Sequence, residues 1–259
     1  EELLDWYSEQ DSADFEKSVK IILPQDPKKG FVVIDGSELG DIMVLSGAKY
    51  TVGRELTTEY MGEDGSIPVL NETGTQSFVF PFCVTGTLID SDEADVKAPF
   101  PDFETYYQEQ LADYFSLGSW SWAQVWTYRR VYNAGQPYQS STVNFSDVSM
   151  QNWYPGNDYP YGTLFKNLAD AEAEKADWQG GVQLDQIRNA EKHALAYYFY
   201  YKSIKTNTFA LHLLRGNDPL NMMETASGLS KMPYFRGTRR MIGLNNFRIT
   251  EHYYDNRAD

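Results

Sequence analysis

The run "FVVID" (31–35) is continuously apolar until it meets an acid. "GSELGD" then supplies small and acidic residues, and "IMVLSGA" turns to helical spacing. A short unbroken apolar run predicts a strand buried on both faces. The small and acidic residues after it predict a tight bend and then a helix over 40–48, with Asp41 as its N-cap. In "SFVFPFCVTGTLI" (77–89) the alternation puts Phe78, Phe80 and Phe82 on one face of a second strand. Pro81 inside it predicts an edge or a bulge, because proline has no N–H to give a ladder.

Helical periodicity enters at "DFETYYQEQLADYF" (102–115), where Phe103, Tyr107, Leu111 and Tyr114 share a face and Asp102 stands as the cap. The clearest helix is "LDQIRNAEKHALAYYFYYKSI" (184–204), with a stripe at Leu184, Ile187, Glu191, Ala194, Leu195, Tyr198 and Tyr201 that is expected to run on toward Leu214. "LFKNLADAEAEKADW" (164–178) predicts another, closed by Gly180-Gly181. "SWSWAQVWTYRRVYN" (119–133) alternates and predicts a strand with Trp120, Trp122, Trp126, Tyr128 and Tyr132 on one side, and "STVNFSDVSM" (141–150) as its partner. "GTRRMIG" and "NNFRIT" read as two short strands about an "LNN" turn. Loops are expected at 54–76, 90–101 and 151–162. The order predicts an α+β or mixed α/β protein rather than a regular βαβ alternation.

A length of 259 residues, 42% hydrophobic and 15% aromatic, suits one large domain or two modest ones with a real core. With 37 acidic and 22 basic residues the net charge is −15, which repels phosphates along most of the surface and argues against a nucleic-acid partner. No apolar run reaches the ~18 residues of a membrane span. No basic-then-apolar leader opens the chain, and the compartment stays open. The single cysteine, Cys83, allows no intrachain disulfide and reads as a buried, inert thiol. His193, His212 and His252 match no metal-ligand spacing, so no metal site is expected. Neither a nucleophile elbow nor a P-loop is present, and no pair of carboxylates stands out.

The aromatic positions Trp120, Trp122 and Trp126 suit a substrate-stacking wall or core packing. Asn157 and Asp158 sit in the turn chemistry of "NDYPYG", with a binding role as the alternative to a plain turn. Two stretches carry more. "VVIDGSELGD" ends a strand in glycine with acids beside it, which lets backbone approach a ligand while carboxylates accept hydroxyl hydrogen bonds. "KMPYFRGTRRMIG" (231–243) sets Arg236, Arg239 and Arg240 among apolar residues, where each needs an anion, a carboxylate or a ligand.

"FVVIDGSELGDIMVLSGAKYTVGRE", "SMQNWYPGNDYPYGTLFKNLADAEAEKADWQGG" and "GLSKMPYFRGTRRMIGLNNFRIT" together resemble the FAD-dependent oxidoreductase family. At the first segment, Gly36-Ser37-Glu38 replaces the family's usual Ala-Thr and its neighbour. The resemblance implies part of a Rossmann-type FAD-binding domain with a large inserted substrate domain of antiparallel strands and helices. Residues 1–53 would be the partial FAD-binding domain, 54–230 the substrate or cap domain, and 231–259 a return toward the flavin. It implies that Asp35, Gly36, Ser37, Glu38, Gly40 and Asp41 lie beside FAD. Arg236, Arg239 and Arg240 would act on the flavin or its substrate as catalytic groups. Trp120, Trp122, Trp126 and Asn157 would face a small-molecule substrate, which gives up a hydride to FAD.

No G-x-G-x-x-G is found, and the family's C-terminal flavin-contacting segment is not reached. The expectation is therefore the central portion of a flavoprotein, completed by its remaining segments or by a partner chain. The rival reading is a non-enzymatic, acidic glycan-binding protein of a surface or periplasm. It accounts for 19 tyrosines and the negative charge, but not for the bend or the arginines.

Overall fold

The computed structural model describes residues 11, 16, 18, 20–55, 70–71, 74–87, 98, 100–115, 122–132, 144, 146–154, 156–166, 181–203 and 210–247. In chain order its elements are α1 (Asp41–Leu45), β1 (Tyr50–Thr51), β2 (Arg54–Glu55), β3 (Leu70–Asn71), β4 (Phe78–Val79), β5 (Phe82–Thr87), α2 (Phe103–Phe115), α3 (Trp122–Tyr128), β6 (Arg130–Tyr132), β7 (Val148–Gln151), β8 (Asp158–Tyr159), α4 (Leu184–Ser203), β9 (Ala210–Leu213), β10 (Arg240–Met241) and a 3₁₀ turn (Leu244–Asn246). Every ladder among them is antiparallel. Helices with antiparallel sheets make the α+β class expected from the pattern. The chain divides into two units. The first holds residues 1–77, 161–184 and 235–259, and the second holds 78–160 and 185–234.

The second unit is built on β5. Its alternating residues are buried on both faces, and it takes β7 on one edge and β9 on the other, with β6 outside β7. Phe82 lies opposite Gln151, and Val84 opposite both Ser149 and Leu213. At Pro81 the pairing is irregular, as expected: Val79 and Phe82 are three positions apart while their bridge partners Tyr234 and Leu229 are five apart. Pro81 separates β4, which pairs with β8, from β5, and its carbonyl accepts the Ser230 N–H at 2.9 Å. Phe78, Phe80 and Phe82 are all buried, as the alternation predicts. Helix α4 is buried at eleven positions, including consecutive residues from Lys192 to Tyr198. A helix apolar nearly all round belongs in an interior. Tyr114 of α2 stacks on its Tyr200, 5.3 Å between ring centroids.

The first unit is assembled from smaller pieces. β1 and β10 pair Tyr50 with Met241 and Thr51 with Arg240. β2 and β3 pair within the stretch expected to be loop. Phe165 bridges Val182. Leu39, Met43, Val52, Leu164, Phe165 and Val182 are buried.

Several expectations need correction. Residues 31–34 form no strand, and Phe31, Val32, Val33 and Ile34 are 55, 87, 59 and 88% exposed. A strand buried on both faces needs ladder partners and cover, and the described residues provide neither. Residues 119–133 are not one strand. α3 spans Trp122–Tyr128 and only Arg130–Tyr132 is extended. The Trp122–Trp126 spacing of four satisfies both periods, so alternation alone misleads. Trp126 is fully buried while Tyr128 is 59% exposed, so no shared aromatic face exists at those two positions. β6 does pair with β7, the end of the predicted partner. α4 stops at Ser203 instead of running toward Leu214, because "ALHL" alternates as β9. "LNN" is a turn, as expected, closed by the Gly243 N–H donating to the Phe247 carbonyl at 2.7 Å; β10 pairs with β1, and residues 248–250 of the second expected strand lie outside the described residues. Of the helix predicted over 164–178, residues 164–166 are not helical and 167–178 lie outside the described residues. β8 falls within the loop expected at 151–162. Among the described residues no helix is long and apolar enough to cross a membrane.

Candidate functional site

The bend at 35–41 is held by its own side chains. Asp35 Oδ1 accepts the Ser37 N–H at 2.9 Å and the Ser37 hydroxyl at 2.6 Å. Its Oδ2 accepts the Met43 N–H at 2.9 Å, and Ser37 Oγ accepts the Asp41 N–H at 2.7 Å. Asp35 and Ser37 thus satisfy N–H groups in the first turn of α1 that have no partner inside the helix. The hydrogen bond from the Ser37 hydroxyl, then the backbone donors, hold the Asp35 carboxyl below the usual carboxylate range. Asp41 is not the N-cap. That position is Gly40, with φ 72° and ψ 44°, and no side chain caps the helix from there. A left-handed backbone at this point favours glycine, and a Cβ would also sit 2.7 Å from Met43 Cε.

Arg239 comes to this bend from 200 residues away. Its Nη1 donates to the Leu39 carbonyl at 2.6 Å and lies 3.6 Å from Asp41 Oδ1. Its guanidinium lies over Phe165, 4.8 Å from the ring centroid, and over Tyr50 at 5.5 Å. The side chain is fully buried. Burial raises the Asp41 carboxyl pKa, and the Arg239 charge only partly offsets it. Arg236 Nη1 donates to the Ser77 carbonyl at 3.0 Å, and Arg240 Nη2 to the Gly53 carbonyl at 3.4 Å. Both are half-buried. Of the three arginines named from sequence, Arg239 meets the bend within the first unit, while Arg236 and Arg240 bond Ser77 and Gly53 instead. Tyr50 and Phe165 went unnoticed there, because nothing in their spacing marks an aromatic that stacks on a distant arginine.

The outer side of the bend is open. Gly36, Ser37 and Glu38 are exposed, and a Cβ on Gly36 would meet no atom within 4 Å. These residues fit one wall of a nucleotide cleft: small backbone at Gly36 and an acceptor carboxylate at Glu38. They do not fit a pyrophosphate site. α1 has only five residues, and its Asp41 and Met43 N–H groups already bond Ser37 and Asp35.

The expected substrate wall is different in kind. Trp126 is fully buried within the second unit. Trp120 and the Trp122 side chain lie outside the described residues. Asn157 is also fully buried, and its amide is engaged inside the unit. Nδ2 donates to the Phe80 and Gln151 carbonyls at 2.9 and 2.8 Å, and Oδ1 accepts the Trp153 N–H at 3.3 Å. Neither Trp126 nor Asn157 presents a surface for a ligand. Asp158 is half-buried in β8, opposite Val79.

His193 is packed. Its Nδ1 takes the Tyr106 hydroxyl at 2.9 Å, its Nε2 meets the Gly156 carbonyl at 3.2 Å, and burial lowers its pKa to about 4. Cys83 is buried and its thiol is pushed up to about 12 by desolvation, which leaves it unreactive. Among the described residues no cluster of histidine, cysteine or carboxylate side chains is arranged to hold a metal ion.

Neither curated proteins nor solved structures give a match to the chain. The family model described as FAD dependent oxidoreductase matches residues 24–258, which take in both the bend and Arg239, which closes on it. The chain belongs to the FAD-dependent oxidoreductase family.

Proposed function

We propose that this chain is the central portion of a flavoprotein that takes a hydride from a small organic substrate, with the bend at 35–41 forming one wall of the flavin cleft. Bound FAD supplies the hydride acceptor. The residues that would hold it here are Gly36, Ser37 and Glu38, whose outer side is open. Glu38 would accept hydroxyl hydrogen bonds, as an acidic residue does at a ribose. Arg239 acts as a positioning residue. It fixes Leu39 and Asp41 from behind and so sets where Gly36–Glu38 stand. Arg236 and Arg240 are the arginines retained as candidates for charge stabilisation near the reacting centre.

The observation that carries the proposal is the contact of Arg239 with Leu39 and Asp41, which joins the two segments that bear the family resemblance. The exposed apolar run 31–34 supports it. Four consecutive exposed apolar residues suit a strand of the flavin-domain sheet, whose neighbours come from the remaining segments of the flavoprotein or a partner chain.

Gly36→Val tests the reading in the natural full-length protein. A Cβ there meets no atom within 4 Å, so the melting temperature should hold. Flavin content should fall at least about tenfold, equivalent to about 1.4 kcal/mol of binding. Unchanged flavin content in Gly36→Val would remove the bend from the cleft.

A further inference from the structure

Both carboxylate oxygens of Asp35 are engaged inside the bend. Oδ1 accepts the Ser37 N–H and hydroxyl, and Oδ2 accepts the N–H of Met43, eight residues on. Ser37 Oγ is bonded on two sides, because it donates to Asp35 and accepts the Asp41 N–H. Hydrogen bonds to an ionised acceptor are shorter and stronger than neutral ones, and the Ser37 hydroxyl stands 2.6 Å from Asp35. The helix that these bonds lead into has five residues and buries only Met43 among them. A helix that short contributes little by itself, so what the bonds chiefly fix is the course of the chain before it.

That course is the strip Gly36–Glu38, exposed along its length. Ordering such a strip has an entropic cost, which a ligand must meet on binding unless the protein has met it beforehand. Asp35 holds the strip at its start, and Arg239 holds Leu39 at its end from 200 residues away. The strip is thus fixed at both ends and open on its outer side.

We infer that Asp35 and the Ser37 hydroxyl are a positioning pair that orders Gly36–Glu38 in advance for the flavin, acting through the shape of the bend and not by touching the cofactor. This rests on the flavin reading above and divides its roles. The Gly36 backbone and the Glu38 carboxylate meet the ligand, and the Asp35–Ser37 bond sets where they stand.

FAD titration of the flavin-free full-length protein, followed by flavin fluorescence, tests the pair in a double-mutant cycle. Asp35→Ala and Ser37→Ala should each raise the FAD dissociation constant about tenfold, since each removes a charge-assisted hydrogen bond. The double variant should also bind about tenfold more weakly and no worse, because both residues act through one bond. Ser37→Thr keeps the hydroxyl and should restore wild-type affinity. Amide exchange at 36–38 should quicken in the flavin-free alanine variants while the melting temperature holds. A ligand contact alone would not quicken that exchange. Losses that multiply in the double variant, unaltered exchange in the flavin-free variants, or a melting temperature that falls with the affinity overturns the inference. A wild-type protein that takes up no FAD, or shows no protection at 36–38 when it does, removes the flavin reading and this inference with it. Protection by FAD at 36–38 with unchanged affinity in both alanine variants removes this inference alone.

Discussion

The two units treat their interiors differently. The second closes on itself. β5 is laddered on both edges, α4 is buried nearly all round, and internal polar groups such as Asn157, Gln151 and His193 carry hydrogen bonds. The first unit buries Leu39, Met43 and the Arg239 side chain, yet leaves 31–34 exposed only a few residues away. An interior that needs nothing more is built for stability. An apolar run with no cover among the described residues is built to receive something. The same chain thus separates a self-sufficient scaffold from an open edge, and the proposed flavin wall lies on the open edge.

The largest expected effect lies in the closed unit. Asp147 and Arg130 form a buried ion pair, 3.2 Å apart. Asp147→Ala should cost about 4 kcal/mol in denaturant unfolding, since a buried charge loses its partner. A loss under about 1 kcal/mol would mean that this interior is wetter and looser than the geometry shows. Next comes pH. His193 has a depressed pKa in the folded state, about 4 against a usual value near 6.5. The unfolded chain therefore binds a proton first as pH falls. The stability that neutral His193 contributes is fully present above about pH 6.5 and is lost as pH drops toward 4, by about 3 kcal/mol in all. His193→Gln should flatten this slope in melts across that range.

Asn157→Ala should cost about 2–3 kcal/mol, because the Phe80 and Gln151 carbonyls and the Trp153 N–H lose a shared partner. A neutral result would reopen a binding role for this residue. The smallest effect is expected at the open edge. Ile34→Lys should shift the stability of this chain by no more than about 0.5 kcal/mol, as for other exposed sites. In the flavin-loaded protein the same change should lower flavin retention. A large loss in this chain alone would erase the contrast between the units.

Legibility in the sequence divides along the same line. α2 and α4 were readable because a 3.6-residue period is repeated over three turns or more, and the three phenylalanines of 78–82 because their alternation matches their burial. α3 was not readable, because Trp122 and Trp126 are four residues apart and satisfy both periods. The run 31–34 reads as fully covered, since apolar letters report a preference for burial and not whether the cover is present. The bend and the arginines were found by chemistry, as small and acidic residues after an apolar run and as three cations among apolar neighbours. Their contact was not derivable, because it joins residues 200 positions apart. Sequence also could not show that Arg239 stands behind the bend, or that Asp35 and Ser37 bond the N–H groups a phosphate would need.

The most direct test is hydrogen–deuterium exchange in the natural full-length protein, with and without added FAD. The account predicts slower exchange at 36–38 when FAD is bound, and no change across Phe82–Thr87. Flavin binding that leaves 36–38 as fast as before would place the cofactor elsewhere and contradict it.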